Sequence, residues 1–348
     1  MLVKGIHGGD IYRNKVCMDY SVNINPLGMP DGLKKTLYEA VEKCCEYPDI
    51  EAAMLKQKVG KSYNIPEDYL LFGNGASELL MGIVHAIKPK KALIPIPSFY
   101  GYEYACKAVD SNIEYLILKE ENDFLPKEDS YKLLTKDIDI VFLANPNNPT
   151  GMKLDKKYLR RLLDICKEKG IFVVLDECFV EFCGNEFSML SDIIKYDNLL
   201  IVRAFTKIYA IPGVRLGYLV CSNDSLLEKI RRQLGEWNLS TFAQAAGIMC
   251  IEKKEYIKNT IEYLNSERLY LYEEFKKLGI RVFKGEANFI LIYCDIDLYD
   301  KLIDKGILIR DCENFNGLTK GYYRIAIKKH EDNEKLLAAI KECFICTK

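Results

Sequence analysis

The feature that most constrains this chain is a regular alternation of short apolar, β-rich runs with stretches whose apolar residues recur at helical spacing. The apolar runs cover residues 92–96, 113–118, 138–144, 171–175, 199–204 and 216–221, each of strand length. Between them, residues 78–87, 102–109 and 155–169 carry the helical period. Asp155 is placed to cap the third helix at its start and Gly170 to end it. Strands that alternate with helices, and that are apolar on both faces, predict an α/β domain around a mostly parallel sheet.

The pattern changes near Ser240. A long charged helix is expected at 255–278, then a strand at 287–293, a helix at 298–304, a strand at 322–327 and a last helix from Asn333. This order predicts a smaller α+β C-terminal domain. Before the alternation come a Gly/Asn/Pro-rich loop, SVNINPLGMP, and a helical segment at 33–45. The expected division is an N-terminal arm, 1–40, packing on the small domain; a large domain, 41–255; and the small domain, 256–348. No repeat or Pro/Ser-rich linker marks the boundaries.

Composition excludes several classes of function. With 49 Lys+Arg against 50 Asp+Glu the net charge is -1, so nucleic acid and anionic membrane are not expected partners. No apolar run approaches the roughly 18 residues of a membrane span, and the start MLVKGIHGGDIYRNK lacks the apolar core of a signal peptide. A cytoplasmic protein is expected. The 13 cysteines are odd in number and scattered through apolar runs, which reads as reduced thiols. Cys343 and Cys346 form a CxxC with no second pair, so no metal site is expected.

Four polar segments fall at the C-terminal ends of the expected strands: GNGASE from Gly73, NPNNPTG from Asn145, DECF from Asp176 and TKIYAIPGVR from Thr206. Ligands of open parallel sheets bind at that edge. Singly, the first three of these segments are a turn, a solvent loop and a pair of carboxylates. Together, and in this order, they resemble the fold-type I, aspartate-aminotransferase-like family of pyridoxal-phosphate enzymes. That resemblance implies a large domain with a mostly parallel seven-stranded sheet beside the smaller domain.

It also implies roles, and each has a chemical reason. Lys207 holds the aldehyde of pyridoxal 5'-phosphate, and Asp176, ending the buried run IFVVLD, keeps the pyridine nitrogen protonated. Gly75, Ala76 and Ser77 open a helix whose N–H groups suit a phosphate, with Thr206 and Arg215 adding a hydroxyl and a guanidinium. Asn148 donates to the ring oxygen, and Phe99 stacks on the ring.

Further motifs narrow the resemblance. HGGDIYRN, DYSVNINPLGMP, YPDIEA, ANPNNPTG, DECFVEF and YYRIAIK are similar to the threonine-phosphate decarboxylases of cobalamin biosynthesis and to their sister family, the histidinol-phosphate aminotransferases. The HGG and SVNINPLG segments lie closer to the decarboxylases. So does Phe179, which stands where transaminating relatives commonly carry a tyrosine. The expected reaction is decarboxylation of O-phospho-L-threonine or O-phospho-L-serine to the amino-alcohol phosphate, with amino transfer of the histidinol-phosphate type as the alternative. By the same resemblance His7, Gly8, Asn23, Arg310 and Arg324 bind the substrate, Arg324 on either its carboxylate or its phosphate. Tyr47 of the YPD motif crosses the interface of a homodimer to the cofactor phosphate.

Overall fold

The structure is a computed structural model that describes residues 7–345. Its centre is a seven-stranded sheet in the order Leu70–Gly73, Gly217–Val220, Leu199–Ala204, Phe172–Asp176, Ile140–Ala144, Lys91–Ile96 and Asn112–Ile117. Gly217–Val220 runs antiparallel to both of its neighbours, and the other pairings are parallel. The six strands expected from sequence are present within two residues at each end. The seventh, Leu70–Gly73, is four residues long, too short for periodicity to reveal.

Residues of Ile140–Ala144 and Leu199–Ala204 are buried throughout, as in a sheet covered on both faces. Lys156–Lys169 covers part of one face with Leu159, Leu162, Leu163 and Cys166. The Asp155 carboxylate accepts from the N–H groups of Lys157 and Tyr158, and Gly170 takes the left-handed conformation with φ of 72°.

A second sheet has the order Arg310–Asp311, Tyr322–Ala326, Phe289–Tyr293 and Arg281–Phe283, all antiparallel. The long helix, Lys254–Lys277, packs beside it. The last helix begins at His330 and not at Asn333. Asn333 has the look of an N-cap, but its buried amide works inside the first turn. There Nδ2 donates to the Lys328 carbonyl and Glu267, and Oδ1 accepts from the Lys328 N–H. The helix expected at 33–45 ends at Val41.

Met18–Asp19 pairs in parallel with Ile307–Leu308, and the Ala326 N–H donates to the Tyr20 carbonyl at 3.0 Å. This seats the loop from Ser21 to Asn25 between the two sheets. Asn25 Nδ2 donates to the Ile208 carbonyl at 2.7 Å, and its backbone N–H donates to the Lys207 carbonyl at 3.2 Å. Twelve cysteines are described, all as free thiols. Cys346, half of the terminal CxxC, lies outside the described residues. Among the described residues no helix is long and apolar enough to cross a membrane.

Candidate active site

The polar segments meet because strands with one direction end at one edge. Leu70–Gly73 delivers Gly75 and Ala76, Lys91–Ile96 delivers Phe99, Ile140–Ala144 delivers Asn148, and Phe172–Asp176 ends on its acid. Leu199–Ala204 runs directly into the short helix Phe205–Ile208, which carries Thr206 and Lys207. The reversed strand Gly217–Val220 begins at this edge, so Arg215 arrives there as well. The result is a cavity of about 450 Å³.

Lys207 lines this cavity, and its ammonium is held down to about 8, first by burial and then by the nearby Arg324. A lysine in that condition supplies free amine near neutral pH. Asp176 is 9% exposed. Its carboxylate accepts from the Tyr102 hydroxyl at 2.7 Å and from the Cys178 N–H at 2.9 Å.

At the other end Ala76 begins a twelve-residue helix behind Gly75, whose φ is +81°. A Cβ on Gly75 would sit 2.4 Å from Arg215 Nη2, so only glycine lets the guanidinium lie on this loop. Ser77 and Thr206 line the same end. A helix N-terminus, two hydroxyls and a guanidinium form a donor set for a phosphate monoester.

Arg324, on the second sheet, is buried and lines the cavity. Its Nη1 donates to Asn148 Oδ1, Nη2 donates to the Ser21 carbonyl at 2.6 Å, and its guanidinium lies 5.4 Å from the Phe289 ring centre. Its Nε is buried without a hydrogen-bond partner, and burial pulls the group down to about 10. Arg310 donates to Asn314 Oδ1 at 2.7 Å and lies over the Phe315 ring. His7 stands 6.2 Å from Phe99 between ring centres; burial, then Arg310 and Arg324, lower its pKa and favour the neutral ring. Asn23 is 2% exposed, with its Oδ1 buried and unpartnered. Gly8 lies so close that a Cβ would run into the Ser21 carbonyl. Phe179 makes an edge-on contact with Phe289 at 5.2 Å.

Thus every residue singled out from sequence lines this one cavity except two. Gly75 supports it through Arg215. Tyr47 lies elsewhere on the chain's surface, 83% exposed, with its ring 5.0 Å from that of Trp237. The lining brings four cationic side chains, Lys207, Arg215, Arg310 and Arg324, against two acids, Asp176 and Glu103. That balance selects an anionic occupant.

The residues present fit pyridoxal phosphate. They offer a donor set for its phosphate, a buried amine for its aldehyde, a fixed carboxylate for its ring nitrogen and a Phe99 ring beside that carboxylate's partner, Tyr102.

Sequence reasoning missed Tyr102, Ser21 and Asn25. Tyr102 sits one turn after Phe99 in PSFYGY and was read only as part of an apolar helix face; its hydroxyl was the available signal, since a buried phenol needs a partner. Tyr102→Phe should leave the fold intact and weaken retention of the cofactor about tenfold, the equivalent of about 1.5 kcal/mol for one bond to a charged acceptor. Equilibrium dialysis against pyridoxal phosphate measures it; unchanged retention would show that the phenol does not matter to Asp176.

Comparison with known proteins agrees with this geometry. The profile of the family "Aminotransferase class I and II" matches residues 15–340. The threonine-phosphate decarboxylase of Salmonella typhimurium is 34% identical over 98% of this chain and 97% of its own length. Among solved structures, histidinol-phosphate aminotransferase from Clostridium acetobutylicum superposes with a TM-score of 0.88 at 34% identity, covering 93% of this chain and 98% of that one. L-threonine-O-3-phosphate decarboxylase from Porphyromonas gingivalis gives 0.83 at 26% identity, with the same two coverages of 93% and 98%. A profile match over nearly the whole length, joined to a full-length relative at that identity, means that the chain belongs to the class I and II aminotransferase family.

Proposed function

We propose that this chain is a pyridoxal-phosphate-dependent lyase that decarboxylates a phosphorylated amino acid, O-phospho-L-threonine or O-phospho-L-serine, to the amino-alcohol phosphate. The observation that carries the reading is the pair of buried arginines, Arg310 and Arg324, in the same cavity as Lys207 and Asp176. A substrate with a carboxylate at one end and a phosphate at the other supplies two anions for two guanidinium forks. The full-length likeness to a threonine-phosphate decarboxylase supports the same substrate class.

When bound, pyridoxal phosphate supplies an electron-accepting ring conjugated to the substrate amine. The chain's residues do the rest. Asp176, fixed by Tyr102 and Cys178, holds the proton on the ring nitrogen. Arg324, Arg310, His7 and Asn23 would hold the substrate's anionic groups and so fix the direction of its carboxylate within the cavity. Lys207 returns a proton to Cα after carbon dioxide leaves. Phe179 packs on Phe289 and brings no hydroxyl to the cavity that it lines.

Amino transfer is the second reading, favoured by the 34% identity to the Clostridium acetobutylicum enzyme. The two part on substrate. A decarboxylase with this clamp should turn over O-phosphothreonine or O-phosphoserine at least about a hundredfold better than the free amino acids, because an absent phosphate forfeits charge-assisted bonds to the clamp worth about 1.5–3 kcal/mol each. Comparing kcat/KM for each pair, with no keto acid present, measures this; equal values would remove the clamp from the account.

We also assign a homodimer, in the cytoplasm, with Tyr47 reaching the partner's cofactor phosphate. Its exposure beside Trp237, outside its own chain's cavity, supports that role. Sedimentation should give twice the 40.0 kDa chain mass, and Tyr47→Phe should loosen the cofactor about tenfold or more; an active monomer would rule the arrangement out. The division into arm 1–40, large domain 41–255 and small domain 256–348 is supported by the confinement of one sheet to residues 70–220 and the other to 281–326.

A further inference from the structure

A buried ion pair lies one residue beyond Asp176 and four before Lys207. Arg203, at 0% exposure, donates from Nε at 3.0 Å and from Nη2 at 2.9 Å to one oxygen of Glu177, itself fully buried. The same oxygen accepts from the Ser188 hydroxyl at 2.6 Å, and the other accepts from the Met189 N–H at 2.8 Å. The Glu177 backbone N–H donates to the Val202 carbonyl at 2.8 Å. Arg203 also faces Glu181 at 3.8 Å, lies 5.0 Å from the Tyr63 ring centre and donates to Asn185 at 3.4 Å. None of these groups lines the cavity.

An enclosed pair of this kind is a poor source of stability. Desolvating two charges offsets most of their attraction, and apolar residues of similar size commonly serve as well. Its placement gives it another use. The strand Phe172–Asp176 ends in the acid that meets the ring nitrogen, and its parallel neighbour Leu199–Ala204 leads into the lysine that meets the aldehyde. Asp176 is tethered through its side chain to Tyr102 on the helix Tyr100–Lys107. From the strand side, the backbone ladder ends with the Glu177 N–H on the Val202 carbonyl, and the side-chain link at that level is Glu177 to Arg203.

We propose that Arg203 and Glu177 are positioning residues: their buried bond fixes the end of the Asp176 strand against the end of the Lys207 strand, and so sets the acid and the amine at the separation the cofactor requires. The inference rests on the functional reading above, since the separation matters only if both residues meet one bound molecule.

The test uses the full chain with pyridoxal phosphate. Glu177→Gln combined with Arg203→Met makes the pair neutral at similar volume while leaving Met189 an acceptor, and Arg203→Lys keeps the charge but loses the fork. The double variant should melt, without cofactor, within about 5 °C of the parent, as a pair of small net stability predicts, with buried Glu181 taking up a proton once Arg203 no longer faces it. It should bind the cofactor at least about tenfold more weakly, with a shifted visible band, and its kcat should fall about 10- to 100-fold, as for a misplaced catalytic group. KM for the phosphorylated amino acid should stay within about twofold, since the arginines that hold it are untouched. Arg203→Lys should fall between, and it supplies the same readouts if the double variant does not fold. A folded double variant with the parent's cofactor affinity, visible band and kcat overturns the inference. A parent that takes up no pyridoxal phosphate overturns the functional reading first, and the positioning role with it.

Discussion

Lys207→Ala should fold, bind pyridoxal phosphate without a covalent bond and lose turnover by on the order of 10³-fold or more, combining the loss of a nucleophile with the loss of a proton carrier worth about 10²–10⁴. The expectation follows from its place. Lys207 is the amine that the central strand Leu199–Ala204 brings to the cavity, and burial holds its ammonium down to about 8 from an ordinary 10.5. The sign follows directly. Below about pH 8 the group is mostly cationic and unreactive; above it, mostly the free amine. Capture of the cofactor by the cofactor-free protein should therefore quicken about tenfold per pH unit up to that point and level off above it. An ordinary lysine would keep gaining to beyond pH 10. Borohydride should fix the label on residue 207 in the parent and nowhere in the variant. A variant that retains more than a few per cent of turnover would show that another group carries the chemistry.

Arg324→Ala has the second largest expected effect. The guanidinium holds Asn148 and the Ser21 carbonyl together, and so ties the second sheet and the N-terminal loop to the large sheet at the cavity. Its Nε is buried without a hydrogen-bond partner. Losing two charge-assisted bonds, at about 1.5–3 kcal/mol each, predicts a fall in kcat/KM of roughly 10²–10⁴. Arg324→Lys should recover little, because a single ammonium cannot reproduce the fork. Kinetics of both variants, beside a melting curve of each, separate a lost clamp from a lost fold. Lysine at full activity would mean that charge alone suffices there.

How far the sequence could be read depended on range. Strands such as Leu199–Ala204 and the capped helix Lys156–Lys169 were legible because burial on both faces and capping leave local marks. Leu70–Gly73 was not, since four apolar residues carry no period. Asn333 misled, because the same amide that caps a helix can equally serve its first turn from inside.

In the site, Lys207, Asp176 and Arg215 stood in recognisable order, whereas their partners did not. Tyr102 reaches Asp176 across 74 residues and Arg324 reaches Asn148 across 176, and nothing in the local pattern announces either bond. Asn25 is the same case. It lies in the loop that was singled out for Asn23, yet it is Asn25 that grips the backbone at Lys207 and Ile208. Glu177 has no role in the DECF motif as read from sequence, and its burial goes with Arg203 on the adjacent strand.

The measurement that bears most directly on the central claim is carbon dioxide release from O-phospho-L-threonine and O-phospho-L-serine, supplied separately to the cofactor-loaded protein with no keto acid. The account predicts sustained release from at least one of them, with one amino-alcohol phosphate formed per carbon dioxide. No carbon dioxide from either, together with amino transfer from histidinol phosphate to 2-oxoglutarate, would contradict it.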